Sequence, residues 1–272
     1  MRRGLITIAV AALCLAPLKA DVTVVTTMTM EGAMAGSMGG ALPTMTMYIK
    51  GNKARSDVAV QGTTVSTITD LATKEVYLLN SAEKTAKLLT VDSSAPSAGA
   101  LAALEKMDFA YKPTGKKQTI EGVECEQYTF ALKLNMAEMA PQGAQMPPEA
   151  AEAMKGVTLV ADGSVWIAKT GPGTDEFIAF QKAAIQANLL GAMMGSQGGG
   201  PGMEKLMAAA SSAPGIPYLS EITMSFEGSG PVVDMMKSMG PMKMVQKATS
   251  VKTETLSDDL FKIPEGYKVE KK

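Results

Sequence analysis

The chain has 272 residues, 26 of them basic and 27 acidic, and no histidine, so it lacks both the commonest general base and the commonest metal-ligating side chain. A balanced charge without a basic cluster offers no electrostatic footprint for nucleic acid. Its two cysteines, Cys14 and Cys125, are too few for a thiolate metal site or a disulfide framework.

The first element is a charged start, Met1-Arg2-Arg3, an apolar run from Leu5 to Leu18 and a small residue at Ala20. This is the pattern of a secretory signal peptide over residues 1–20, with maturation near Asp21 and a periplasmic or secreted product. The run is short of the roughly 18 to 20 residues needed to span a bilayer, and no later segment comes close, so the chain is not expected to be membrane-spanning. Leu13, before Cys14, is not the small residue that a lipoprotein signal carries. Removal of the signal leaves 23 basic against 27 acidic residues, a net charge of −4, and leaves Cys125 without a partner in the chain.

Residues 21–90 alternate apolar and polar side chains, rich in Thr and Val, which predicts antiparallel strands. Val22, Val24, Met28 and Met30 share one face of the first, and Met45, Met47 and Ile49 one face of the next. Gly51-Asn52 turns into a strand with Arg55, Asp57, Val58 and Val60, Gln61-Gly62 turns into residues 63–70, and residues 76–79 and 84–90 pair around Asn80-Ser81. The result is a meander of about six strands.

Residues 93–99 read as a linker and are followed by a short helix ending near Lys106. Strands resume at residues 118–120 and 123–134, where Tyr128, Phe130, Leu132 and Leu134 line one face at a spacing of two. Pro147-Pro148 and Gly156 bracket a short helix. Residues 157–168, with Trp166, read as a hairpin through Asp162-Gly163. Thr174 reads as the cap of a helix running to about Gly195, followed by a Gly-rich stretch at 195–202 and another short helix at 203–211. Strands return at 218–227, with Ile222, Met224 and Phe226 on one face, and at 244–255, separated by a Met-bearing helical turn at 231–240.

These elements predict an α+β, mainly β fold: a curved antiparallel sheet or unclosed β-barrel of about ten to eleven strands with helices packed on one face. It forms a single domain over residues 21–272, with helical and Gly-rich insertions near 136–156 and 175–215. The stretches YIKGNKARSDV (48–58), STITDLATKEVYLLNSAEKTAKLL (66–89), IEGVECEQYTF (120–130), GSVWIAK (163–169) and LFKIPEGYKV (260–269) resemble a family of exported bacterial proteins carrying a domain of unknown function. That family is similar in pattern to the periplasmic lipoprotein carriers and their outer-membrane receptors. The resemblance implies an unclosed barrel over an apolar cavity, lidded by helices, that holds the acyl chains of a lipid or lipoprotein. It also implies that Arg55, on an early strand, bonds to the lid.

Arg55 is the one arginine of the mature chain, and its five donors suit it to hold several lid carbonyls, although Asp57, two residues along, offers a local ion pair. The 22 methionines are flexible thioethers that fill cores, line promiscuous apolar sites or bind Cu(I). Cys125, flanked by Glu124 and Glu126, has no group to lower its pKa and reads as a plain strand residue. The 195–202 stretch lacks the Lys-Ser/Thr ending of a phosphate loop. No catalytic residue, metal ligand or cofactor follows from the sequence. The expected function is a non-enzymatic binding protein for an apolar ligand such as a lipid or acyl chain. Arg55, Met28, Met30, Met45, Met47, Tyr128, Phe130, Trp166, Met224 and Phe226 are its candidate ligand contacts. A Met-rich Cu(I) buffer and a scaffold that docks another envelope protein are the alternatives.

Overall fold

A computed structural model describes residues 20–32, 43–60, 62–89, 108–135, 156–187, 189 and 213–270. Residues 1–19 of the expected signal peptide (1–20), the expected 93–99 linker, the helices expected before Lys106, at 149–155 and at 203–211, and the 195–202 stretch lie outside the described residues.

The strands are β1 (Asp21–Glu31), β2 (Thr44–Lys50), β3 (Lys53–Val60), β4 (Thr63–Asp70), β5 (Glu75–Asn80), β6 (Thr85–Leu89), β7 (Asp108–Ile120), β8 (Val123–Asn135), β9 (Val157–Ala168), β10 (Ile216–Gly228), β11 (Met242–Glu254) and β12 (Lys268–Glu270). They form one curved, unclosed sheet in the order β12-β6-β5-β4-β3-β2-β1-β11-β10-β9-β8-β7. Pairing is antiparallel except for β12, which runs parallel to β6. Two helices are described, α1 (Thr174–Gln186) and α2 (Pro231–Ser238). The molecule is therefore mainly β, as expected. Its twelve strands exceed the ten to eleven predicted, and its described helices are few.

The departures from the expected strands have physical causes. β7 begins at Asp108 although Pro113, Gly115 and the lysines around it read as loop. It is the edge of the sheet, where a proline breaks no ladder on its open side, and a register shift between Pro113 and Lys117 absorbs the irregularity. β12 is too short to carry a pattern of its own. The hairpin expected at Asp162-Gly163 is absent, because β9 runs straight through both residues and pairs with β8 and β10 along its length. Gly163 marks close backbone approach instead of a turn: a Cβ there would lie 2.1 Å from the Glu221 carbonyl oxygen.

The cap of helix α1 lies one residue before the expected Thr174, which is instead the first helical residue. Gly173, at φ 71°, is the N-cap residue, and a side chain there would meet Val22 Cγ2 at 2.0 Å. Glu176 in the first turn accepts the Gly51 N–H at 2.8 Å and ties the helix to the β2–β3 turn. The helix ends at Gln186, short of Gly195, because the Leu189 N–H bonds back to the Ala184 carbonyl at 3.0 Å and Leu189 turns into the core. This is the 6→1 closure of a Schellman motif with its apolar residue past the cap. Phe177, Phe180, Ala184 and Leu189 pack with Val22, Val24, Ile49, Ala54 and Val76 from one half of the sheet and with Cys125, Trp166, Ala168, Ile216 and Tyr218 from the other.

The opposite face of β3 to β6 is covered by the chain after β11. A 3₁₀ turn at Asp258–Phe261 leads to Ile263 and Tyr267, which pack with Ile68, Leu79 and Ala86. Lys50 fixes its start through the Leu256 carbonyl at 2.6 Å and Asp258 at 2.8 Å.

Candidate functional site

Directly opposed residues of neighbouring strands share a face, and so do residues two apart along one strand. The register therefore lays out rows across β1, β11, β10, β9 and β8. One row is Met28, Gln246, Ser220, Val165 and Tyr128, and the next is Met30, Met244, Ile222, Gly163 and Phe130. A third row holds Met242, Met224, Ala161 and Leu132, and Phe226 lies opposite Leu159 beyond it. On the other side of β1, Met45 faces Thr26 and Met47 faces Val24, so both join the same face. Among the predicted contacts, Met28, Met30, Met45, Tyr128, Phe130, Met224 and Phe226 are thus brought together in adjoining rows, and Met47 is taken up by the core beneath α1.

The aromatic end of this face is well packed. Tyr128, Phe130 and Leu132 are 8%, 9% and 5% exposed, and Leu132 and Ala161 pack with Ile222 and Met224. Ala213, the residue at which the described chain resumes, packs on Tyr128, Val165 and Ile167. The ring of Phe130 lies over Gly163, where a Cβ would sit 3.0 Å from its tip. The methionines of β1, β2, β10 and β11 are half-buried.

Two predicted residues lie elsewhere. Trp166 follows Val165 on β9 and so points away from Tyr128, into the core beneath α1. A bulge causes this: Tyr218 is an extra residue in β10 between Pro217 and Leu219. Before the bulge Ile216 lies opposite Ala168, and beyond it Ser220, Ile222 and Met224 lie opposite Val165, Gly163 and Ala161, so β9 turns its other face to the apolar rows. Arg55 lies opposite Tyr48, which lies opposite Thr23, on the face away from the methionines. Its guanidinium donates to Asp57 at 2.7 Å, to Ser66 Oγ at 3.3 Å and to the Leu260 carbonyl at 3.1 Å. The local pair with Asp57 forms, and the carbonyl it holds belongs to the C-terminal 3₁₀ turn. Neither Met242 nor Leu132, Ala161 or Val165 was among the predicted contacts. Their places depend on register; in the sequence, the Met-x-Met spacing signals Met242 and the spacing of two from Tyr128 and Phe130 signals Leu132.

The reverse side of β8 to β11 is polar. Glu221 and Lys243 pair at 3.0 Å and Lys133 and Glu227 at 2.9 Å, and Thr129, Asp162, Ser164 and Thr223 line a shallow hollow of about 440 Å³ beside Glu221 and Lys243. Below Tyr128 the apolar rows end at a charged rim. Lys169 stands 5.4 Å from the Tyr128 ring and bonds Glu126 at 2.5 Å, which raises the Lys169 pKa and lowers that of Glu126. Cys125 is fully buried on the α1 side, and loss of solvent pushes its thiol up to about 11. Among the described residues no group of three or more His, Cys, Asp or Glu side chains is placed to hold a metal, and no helix is long and apolar enough to cross a membrane.

Residues 26–140, from within β1 to just past β8, match the family model of DUF4412, a domain of unknown function. No curated protein matches the chain. Among solved structures it is similar to an uncharacterized conserved protein from Thermus thermophilus, at 9% identity and a TM-score of 0.36, over 93% of this chain and 91% of that one.

Proposed function

We propose that this protein is an exported, non-enzymatic carrier whose methionine and aromatic sheet face takes up an apolar ligand such as a lipid acyl chain. The observation that supports this reading most is the register that gathers Met28, Met30, Met45, Tyr128, Phe130, Met224 and Phe226 in adjoining rows while placing ion pairs on the other face. Half-buried thioethers adapt to ligands of different shape because their unbranched chains repack at low cost. The Glu126–Lys169 rim beside Tyr128 gives a polar head group a place at the end of the apolar rows.

The test is native mass spectrometry of protein purified without detergent from the exported fraction, with solvent extraction of the same sample. The expected result is an adduct of lipid mass that is lost in Met224→Glu, which sets a carboxylate among the apolar rows at a cost of roughly 2 kcal/mol or more to any bound acyl chain. A bare mass, together with no uptake of a fluorescent fatty acid by the purified protein, overturns the reading.

A further inference from the structure

In sequence the methionines look scattered, but the register gathers four of them. Met30 on β1 lies directly opposite Met244 on β11, and Met242 on β11 lies directly opposite Met224 on β10. Met242 and Met244 are two apart on one strand, so both pairs occupy the same face in adjacent rows. Opposed residues have Cβ atoms roughly 4.5–5.5 Å apart, and rows two residues apart on a strand are separated by roughly 7 Å. Thioether chains with three rotatable bonds are long and flexible enough to reach across such gaps toward a shared ion. The intervening Lys243 alternates to the other face, where Glu221 holds its ammonium at 3.0 Å, so its charge stays off the patch. The four side chains are half-buried.

We infer that Met30, Met224, Met242 and Met244 form a binding site for a soft monovalent cation of the Cu(I) class. Thioether sulfur is a soft, neutral donor that suits Cu(I) and is a poor ligand for hard divalent ions, and this site needs neither histidine nor cysteine. Selectivity follows from the donor set, since among the described residues the two rows hold thioether and hydrocarbon side chains and no carboxylate or imidazole.

Met45 and Met47 supply the control. They carry the same Met-x-Met spacing, but their opposed residues are Thr26 and Val58 for Met45 and Val24 and Ser56 for Met47, so no thioether faces them across the sheet. The full mature chain is titrated anaerobically with Cu(I) against the chromogenic chelator bicinchoninate, with a reductant present. Wild type is expected to hold the metal, and the Met30→Leu/Met244→Leu variant to bind it roughly tenfold or more weakly. Met45→Leu/Met47→Leu should leave the affinity unchanged. Leucine keeps volume and apolarity, so both variants should keep the fold. X-ray absorption of the loaded wild type should show a sulfur-only shell, a readout that does not depend on any variant folding. No retention against the chelator, equal loss in the two variants, or a shell of nitrogen and oxygen overturns the inference.

Discussion

Cys125 shows how far the neighbours of one residue set its chemistry. Glu124 and Glu126 flank it in sequence, yet the main cause of its raised pKa is burial under α1, with the Glu124 charge adding to it. A thiol raised from an ordinary value near 9.0 to about 11 favours the folded state fully below pH 9, and that contribution is lost as the pH climbs through 11. Alkylation with iodoacetamide at pH 8 should therefore be slow in the native protein and fast in urea, with stability dropping between pH 9 and 11. Native labelling at the unfolded rate would show that the thiol is not enclosed as described. Arg55 is the complementary case. Its charge partner, Asp57, is legible from period-two spacing, whereas its bond to the Leu260 carbonyl joins residues 205 apart in sequence and no local pattern encodes it.

At the scale of elements, legibility follows periodicity. The β1 to β6 meander has alternating faces and turn residues at Gly51-Asn52 and Asn80-Ser81, and α2 opens on a proline, so these are readable. Only the end of β7, at 118–120, is readable, because Pro113 and Gly115 on an edge strand look like loop. β9 reads as two strands by the same logic, since Gly163 sits where a turn glycine would. The apolar face is half legible: each strand declares its own side, but which sides meet depends on register and on the bulges at Tyr218 and between Val25 and Thr26. Gly163→Ala tests the reading of β9. The added methyl meets the Glu221 carbonyl and must push the paired strands away from each other, so a loss of about 2 kcal/mol or more in urea unfolding is expected. A neutral substitution would mean that β9 and β10 do not run so close there.

The whole molecule is two consecutive meanders, β1 to β6 and β11 back to β7, that adjoin where β1 pairs with β11. The segment 90–107 joins β6 to β7, which stand toward opposite edges of the sheet, and the chain after β11 crosses back to pair β12 with β6. A protease site inserted at 93–99 should yield two fragments that still co-elute in native buffer and separate in urea. Their separation without denaturant would show that the β1–β11 ladder and the C-terminal strap do not hold the halves together.

The same seam sets a clock. β1 pairs with β2 almost as soon as both exist, but its other border waits for β11, and Asp21 finds its partner only at Glu254. Throughout synthesis and any passage across a membrane, a Thr- and Val-rich strand stands with one row of backbone donors and acceptors unmet, a template for pairing with other chains. The long wait makes the unfinished chain, more than the finished protein, the form most in need of a chaperone.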